Sequence, residues 1–155
     1  MLVAVLMAVS LVVVTFLIHY AALRWMSSGM ANIPLRPDMR IFVIVLMALA
    51  THLVEIGVYA LAYGLGENVL ALGSFSGREV TGSLDYLYFS IVSYTSLGLG
   101  DISPTEHLRF ITGVEALNGL LLIAWSGSFT YMAMTRLWTW QTCVEPASSQ
   151  NSAKS

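Results

Sequence analysis

The sequence predicts an all-α membrane protein: three transmembrane helices and, between the second and third, a short re-entrant helix leading into a glycine-bearing extended strand. Composition points there first, since 57% of the 155 residues are hydrophobic and 10% charged, and the mean hydropathy of +0.75 is too apolar for a small soluble domain. Three apolar runs are long enough to cross a hydrocarbon core about 30 Å thick at about 1.5 Å per helical residue. A fourth run is only about 11 residues long, too short to cross. It ends in Thr95-Ser96-Leu97-Gly98-Leu99-Gly100-Asp101.

Residues 1–23 form the first span, with no charged side chain before Arg24. A cleaved signal peptide is the rival reading, but no Lys or Arg precedes the apolar run and its length exceeds the usual hydrophobic region. The segment is therefore expected in the mature protein. Residues 24–40 form a connection carrying Arg24, Arg36 and Arg40. The second span, residues 41–65, starts after Pro34, Pro37 and Arg40 and is expected to stop at Gly64 and Gly66, residues that break helices. Residues 66–83 make a linker holding Arg78, Glu67 and Glu79. The re-entrant helix covers residues 84–95, the strand 96–101 and the third span 109–137, so that residues 41–138 form one unit. Residues 139–155, rich in Ser with Gln150 and Asn151, read as a disordered tail.

Arginines crowd the 24–40 connection and not the 66–83 linker, which makes the first connection cytoplasmic. The chain is then a multi-pass protein of the cell membrane with its N-terminus outside, the strand opening outward and the tail inside. Trp25, Trp138 and Trp140 would mark the inner interface and Tyr63 the outer one. With a net charge of -2 and no two adjacent basic residues, the chain lacks the footprint of a nucleic-acid binder. Cys143 is the sole cysteine, which excludes an intrachain disulfide and a cysteine zinc cluster. No span carries Arg or Lys every third residue, so a voltage sensor is absent, and the tail is too short for a ligand-binding domain. Any gate is expected within the membrane unit.

The strand carries the chemistry. Gly98 and Gly100 reach positive φ without a Cβ clash, which lets successive carbonyls point the same way and form oxygen rings that replace a cation's water. Such a strand reads as an ion selectivity filter. Carbonyls of Ser96, Leu97, Gly98 and Leu99, with the Ser96 hydroxyl, would hold monovalent cations in file, Gly100 completing the strand and Thr95 supporting it. One chain supplies one strand, and a ring around a dehydrated cation needs about four, which a closed homotetramer provides. Asp101 at the outer end would concentrate cations, the alternative being a solvated carboxylate that anchors the loop, and Glu106 would add weakly to the same field. None of these is a catalytic acid, and no enzyme is expected.

The order of span, short helix, Gly-x-Gly-Asp strand, Pro104 and span resembles the pore module of the potassium channel family, over roughly residues 41–136. In that family the filter reads Thr-Val-Gly-Tyr-Gly-Asp, and here the positions are Ser96, Leu97, Gly98, Leu99, Gly100 and Asp101. Tyr88-Phe89-Ser90 matches the aromatic-aromatic-serine stretch of the family's pore helix, and Gly119 sits where the inner helix often has a hinge glycine. The resemblance implies a passive K⁺ channel of the two-transmembrane, re-entrant-loop type with an added N-terminal helix. It implies K⁺ at Ser96, Leu97, Gly98 and Leu99, and no cofactor beyond the permeant ion. Three positions depart from it. Ser96 keeps the threonine's hydroxyl but loses a methyl that fixes the rotamer. Leu99 lacks the phenol that braces the strand, as in some two-pore-domain potassium channels. Val92 stands where certain members place a glutamate that pairs with the filter aspartate, so that pair cannot form.

Polar residues inside the spans carry further readings. Glu115 and Asn118 share one face of the third span with Gly119, where an ionised carboxylate costs about 2.5 to 3.5 kcal/mol. Glu115 reads either as a brace behind the filter or as a neutral acid hydrogen-bonded between helices. Asn118 reads either as lining the cavity below the filter or as an interhelical hydrogen bond. His52 and Glu55, an i, i+3 pair joined on that face by Tyr59, are a buried pair, a proton sensor, or half of a metal site. His19 is expected at the interface. Gly119 and Ser126-Gly127-Ser128 would let the inner helix bend or pack closely. Competing functions are a weakly selective Na⁺/K⁺ channel, a membrane metalloprotein built on His52, Glu55 and Glu115, and an accessory subunit of another channel.

Overall fold

A computed structural model describes residues 1–29 and 36–137. Four helices and two short strands follow in the order α1 (Leu2–Gly29), α2 (Pro37–Asn68), β1 (Phe75–Gly77), α3 (Ser83–Tyr94), β2 (Ile102–Pro104) and α4 (Leu108–Leu137). Helices α1, α2 and α4, of 28, 32 and 30 residues, are each long and apolar enough to cross a membrane, as the sequence predicts. The short α3 lies between α2 and α4, and α1 packs along both long partners. Pro34, Trp138, Trp140, Cys143 and the tail lie outside the described residues.

Two helices run longer than the sequence suggests. Helix α1 continues past Arg24 to Gly29, so the connection assigned to residues 24–40 is partly helical. Pro37 opens α2 at a position where its fixed φ suits the first turn and its missing N–H is not needed, behind an extended Arg36. The helix then passes through Gly64 and Gly66 to Asn68, correcting the expected stop. A Cβ on Gly66 would lie 2.9 Å from Leu108 Cδ2, so this glycine lets α4 come close. Its helix-propensity penalty is only about 1 kcal/mol, too little to end a well-packed helix.

Buried residues form one stripe per helix. On α1 they are Ala4, Ala8, Leu11, Thr15, His19, Leu23 and Met26, spaced by three or four. Small Ala4 and Ala8 let the chain approach a core of Tyr59, Tyr63, Phe89, Leu108 and Ile111. Elsewhere the surface is apolar: Leu6, Val9, Val13 and Leu17 on α1 and Phe42, Leu46, Leu49 and Leu53 on α2 are exposed, as lipid-facing sides require.

Strands β1 and β2 pair antiparallel, Phe75 opposite Pro104, Ser76 opposite Ser103 and Gly77 opposite Ile102. Residues 66–83 therefore hold more than a plain linker, in strands of three residues that are too short to show alternation in the sequence. This ribbon ties the segment after Asp101 back to the linker, with the Arg78 N–H donating to the Asp101 carbonyl at 2.8 Å. At the start of α3 the Asp85 carboxylate accepts the N–H groups of Thr81 and Gly82 at 2.9 and 3.1 Å. It therefore satisfies donors that an open helix end leaves over.

Candidate functional site

Helix α3 ends at Tyr94, and its last carbonyls are closed by Ser96 N–H to Ser93 O and Leu97 N–H to Val92 O, both 2.9 Å. The chain leaves the helix with φ of +57° at Ser96, +59° at Gly98 and +77° at Gly100. Positive φ at every second residue is the backbone pattern that the oxygen-ring argument demands of Gly98 and Gly100. Ser96 joins that pattern without being glycine, at a steric cost of about 1 to 2 kcal/mol that its residue type does not announce. Its hydroxyl makes no hydrogen bond among the described residues, whereas the Thr95 hydroxyl turns back to Ile91 O at 2.7 Å. Residues 95–100 are exposed on one chain, Leu97 by 62% and Leu99 by 58%.

The Asp101 end of the strand is tethered. The Tyr88 hydroxyl donates to Asp101 Oδ2 at 2.9 Å. Val92, one turn further along the same face of α3, is buried and offers no carboxyl, so the phenol is the partner that the aspartate finds. The i, i+4 spacing of Tyr88 and Val92 was the available signal for this contact.

Behind α3 lies Glu115, fully buried. Its carboxyl accepts the Ser90 hydroxyl and the Tyr63 hydroxyl, both at 2.5 Å, joining α4 to α3 and α2. Ser90 Oγ is also 2.9 Å from Ile56 O, and Tyr63 OH is 3.1 Å from Thr112 Oγ1. Asn118 is turned the same way. Its Nδ2 donates to Thr15 Oγ1 at 2.8 Å and Tyr59 OH at 3.1 Å, and the residue is 2% exposed even on one chain. This corrects the cavity-lining reading: the open face of α4 carries Leu117, Leu120 and Leu121, while Asn118 shares the buried face with Ile111, Glu115 and Leu122. Gly119 lies against the end of α3, where a Cβ would strike the Tyr94 carbonyl oxygen and come within 3.0 Å of its ring. The α4 helix is unbroken across Gly119, which serves close packing here rather than a bend.

The second polar cluster sits nearer the centre of the bundle. Glu55, fully buried, has Oε1 3.0 Å from His19 Nδ1 and Oε2 3.2 Å from His52 Nδ1. Tyr94 OH donates to the same Oε2 at 2.5 Å and is 2.9 Å from His52 Nδ1. The interfacial reading of His19 is thus corrected, since the residue is fully buried on the inward stripe of a helix that runs ten residues beyond it. Tyr59 bonds Asn118 and not the His52–Glu55 pair. Nor does Glu115 join that pair: the residues brought together are His19, His52 and Glu55, with Glu115 held by Tyr63 and Ser90.

A family model described as "Ion channel" matches residues 41–136, which include most of α2, all of α3 and the strand, and nearly all of α4. No curated protein matches the chain, and no solved structure does.

Proposed function

Because the chain belongs to the ion-channel family, we propose that it is the subunit of a homotetrameric, potassium-selective pore that conducts passively through the strand 96–101. The observation that carries this reading is the alternation of positive φ at Ser96, Gly98 and Gly100 on an exposed strand that follows the buried C-terminal half of α3. Carbonyls of Ser96, Leu97, Gly98 and Leu99 from four chains would ring K⁺ ions in file, and repulsion between neighbouring ions would drive each onward. Exposed Leu97 and Leu99 support assembly, since apolar side chains at the root of a pore need a neighbouring copy to cover them. Asp101, steadied by Tyr88, adds negative charge at the outer mouth.

The chain is a multi-pass membrane protein, and its proposed orientation places the N-terminus outside. Besides Arg24 and Arg36, the basic residues Arg40 and Arg136 line one cleft with Met26, which supports a cytoplasmic location for that end. A weakly selective Na⁺/K⁺ pore is the second reading, favoured by the Ser96 hydroxyl, which has no partner among the described residues, and by Leu99, which offers no hydrogen bond to hold the strand. Reversal potentials of purified protein in planar bilayers under opposed K⁺ and Na⁺ separate the two. Selective conduction gives a reversal far from zero, and a reversal near zero supports the weakly selective pore. Gly98→Ala should abolish current in either case while assembly persists. Undiminished current in that variant would refute the assignment of the strand.

A further inference from the structure

We propose that His19, His52 and Glu55 form a binding site for a divalent transition-metal ion, with zinc the best match to the donor set. One donor atom from each residue lies within 4.8 Å of the others. Each histidine faces its own oxygen of the Glu55 carboxylate, at 3.0 and 3.2 Å, and each of these separations is about that of neighbouring ligands around a tetrahedral ion with bonds of roughly 2.0 to 2.2 Å. Two imidazoles and a carboxylate are a combination that zinc accepts, and the Tyr94 phenol oxygen, 2.9 Å from His52 Nδ1, is a fourth donor within reach.

Orientation favours the same assignment. Both histidines turn Nδ1 toward the carboxylate, and His19 Nε2 is 3.3 Å from Ser126 Oγ. An ion entering here would displace the Nδ1 proton that now bridges to the carboxylate, and an Nε2–H donating to the Ser126 hydroxyl would then be the outer hydrogen bond that ligating histidines characteristically make. Among the described residues no Lys or Arg lies against Glu55, so a cation here would supply the positive charge that a buried carboxylate requires. His52 keeps 14% of its side chain accessible, which gives the ion a way in.

The site would give α1 a task. His19 is its contribution, lying outside the segment matched by the family model, while His52 and Glu55 come from α2 and Tyr94 closes α3 two residues before Ser96. A bound ion would therefore clamp the first helix to the base of the strand. Metal binding goes beyond the conduction reading and is measured without ion flux, so either can fail alone.

The test uses the full chain, stripped with a chelator, titrated with Zn²⁺ and desalted before elemental analysis. Wild type should retain one zinc per chain, and X-ray absorption should place two imidazoles in the first shell. Ser126→Ala, which leaves all ligands in place, should weaken affinity about 10- to 100-fold. His19→Gln should reduce retained zinc to the level of the His19→Gln/His52→Gln double variant. Wild type holding no more zinc than that double variant, or zinc without imidazole in its shell, would overturn the site and leave a hydrogen-bonded cluster. The spectroscopic arm uses wild type alone and so stands even where a variant fails to fold.

Discussion

Glu115→Gln and Glu115→Ala should differ by several fold in their cost to stability, because of where the two hydroxyls around the carboxyl can turn. In the native arrangement Ser90 and Tyr63 both donate to Glu115. A glutamine keeps one acceptor oxygen and points an NH₂ at the other hydroxyl. Either hydroxyl can then receive that NH₂ and send its own proton elsewhere, Ser90 to Ile56 O at 2.9 Å or Tyr63 to Thr112 Oγ1 at 3.1 Å. The change exchanges two strong hydrogen bonds for two ordinary ones, at about 1 to 2 kcal/mol. Alanine removes both bonds and opens a hole at a site with no solvent access, which together cost about 3 to 5 kcal/mol.

Loss of helical circular dichroism with denaturant in mixed micelles measures both variants, and tracer K⁺ uptake into liposomes measures the consequence for the strand. Glu115→Gln should retain most of the uptake and Glu115→Ala little, because Ser90 lies on α3 only six residues before Ser96. If glutamine is as damaging as alanine, the spare acceptors at Ile56 and Thr112 do not function as argued.

Gly119→Ala should abolish uptake, since its Cβ meets the Tyr94 backbone, whereas Gly127→Ala, with nothing within 4 Å of its Cβ, should be neutral or stabilising by about 1 kcal/mol; equal effects in the uptake and micelle assays would deny the close crossing. Asn118→Leu should lower micelle stability by about 1 to 3 kcal/mol, because it removes the buried Oδ1 that has no partner among the described residues but leaves the fully buried Tyr59 hydroxyl without its bond; no loss at all would contradict this. Asp85, outside the three spans, is held below the usual carboxylate range chiefly by the Thr81 N–H. Its depressed folded pKa means that its support for the start of α3 is complete above the unfolded value of about 3.9 and is lost as pH falls through the folded value. Amide exchange at Thr81 and Gly82 should therefore lose protection only below about pH 4, and loss already at neutral pH would refute the capping role.

The long apolar runs and the alternating glycines were legible because each rests on local chemistry: length against bilayer thickness, and the absence of a Cβ. Gly66 misled for the opposite reason, and Gly119 could be read either way. A glycine that makes room for a neighbouring helix looks, in one dimension, the same as one that stops or bends its own, and only Leu108 and Tyr94 tell them apart. His19 was readable in part. It continues the stripe Ala4, Ala8, Leu11 and Thr15, but in a helix that is apolar all round that stripe has no contrast. Tyr88 as the partner of Asp101 was signalled only by its i, i+4 spacing from Val92, and the positive φ of Ser96 depends on how the strand leaves α3, which no residue type announces.

In a bilayer the apolar faces of a helix are almost equally content against lipid or against one another, so burial alone does not fix which face turns inward. Here three polar groups fix it at successive heights: Tyr63–Glu115–Ser90, Thr15–Asn118–Tyr59, and His19–Glu55–Tyr94 with His52. Two of them grip α3, at Ser90 and at Tyr94, which are four residues apart and hence on one face. Held on that face, α3 cannot rotate without breaking both grips, and rotation of α3 is the motion that would carry Ser96 and the strand out of line. Because the grips lie behind α3, opposite the exposed strand, they are complete within a single chain and do not wait for assembly. In the proposed tetramer a chain built this way would bring its strand to the pore already oriented, and the other copies would cover Leu97 and Leu99.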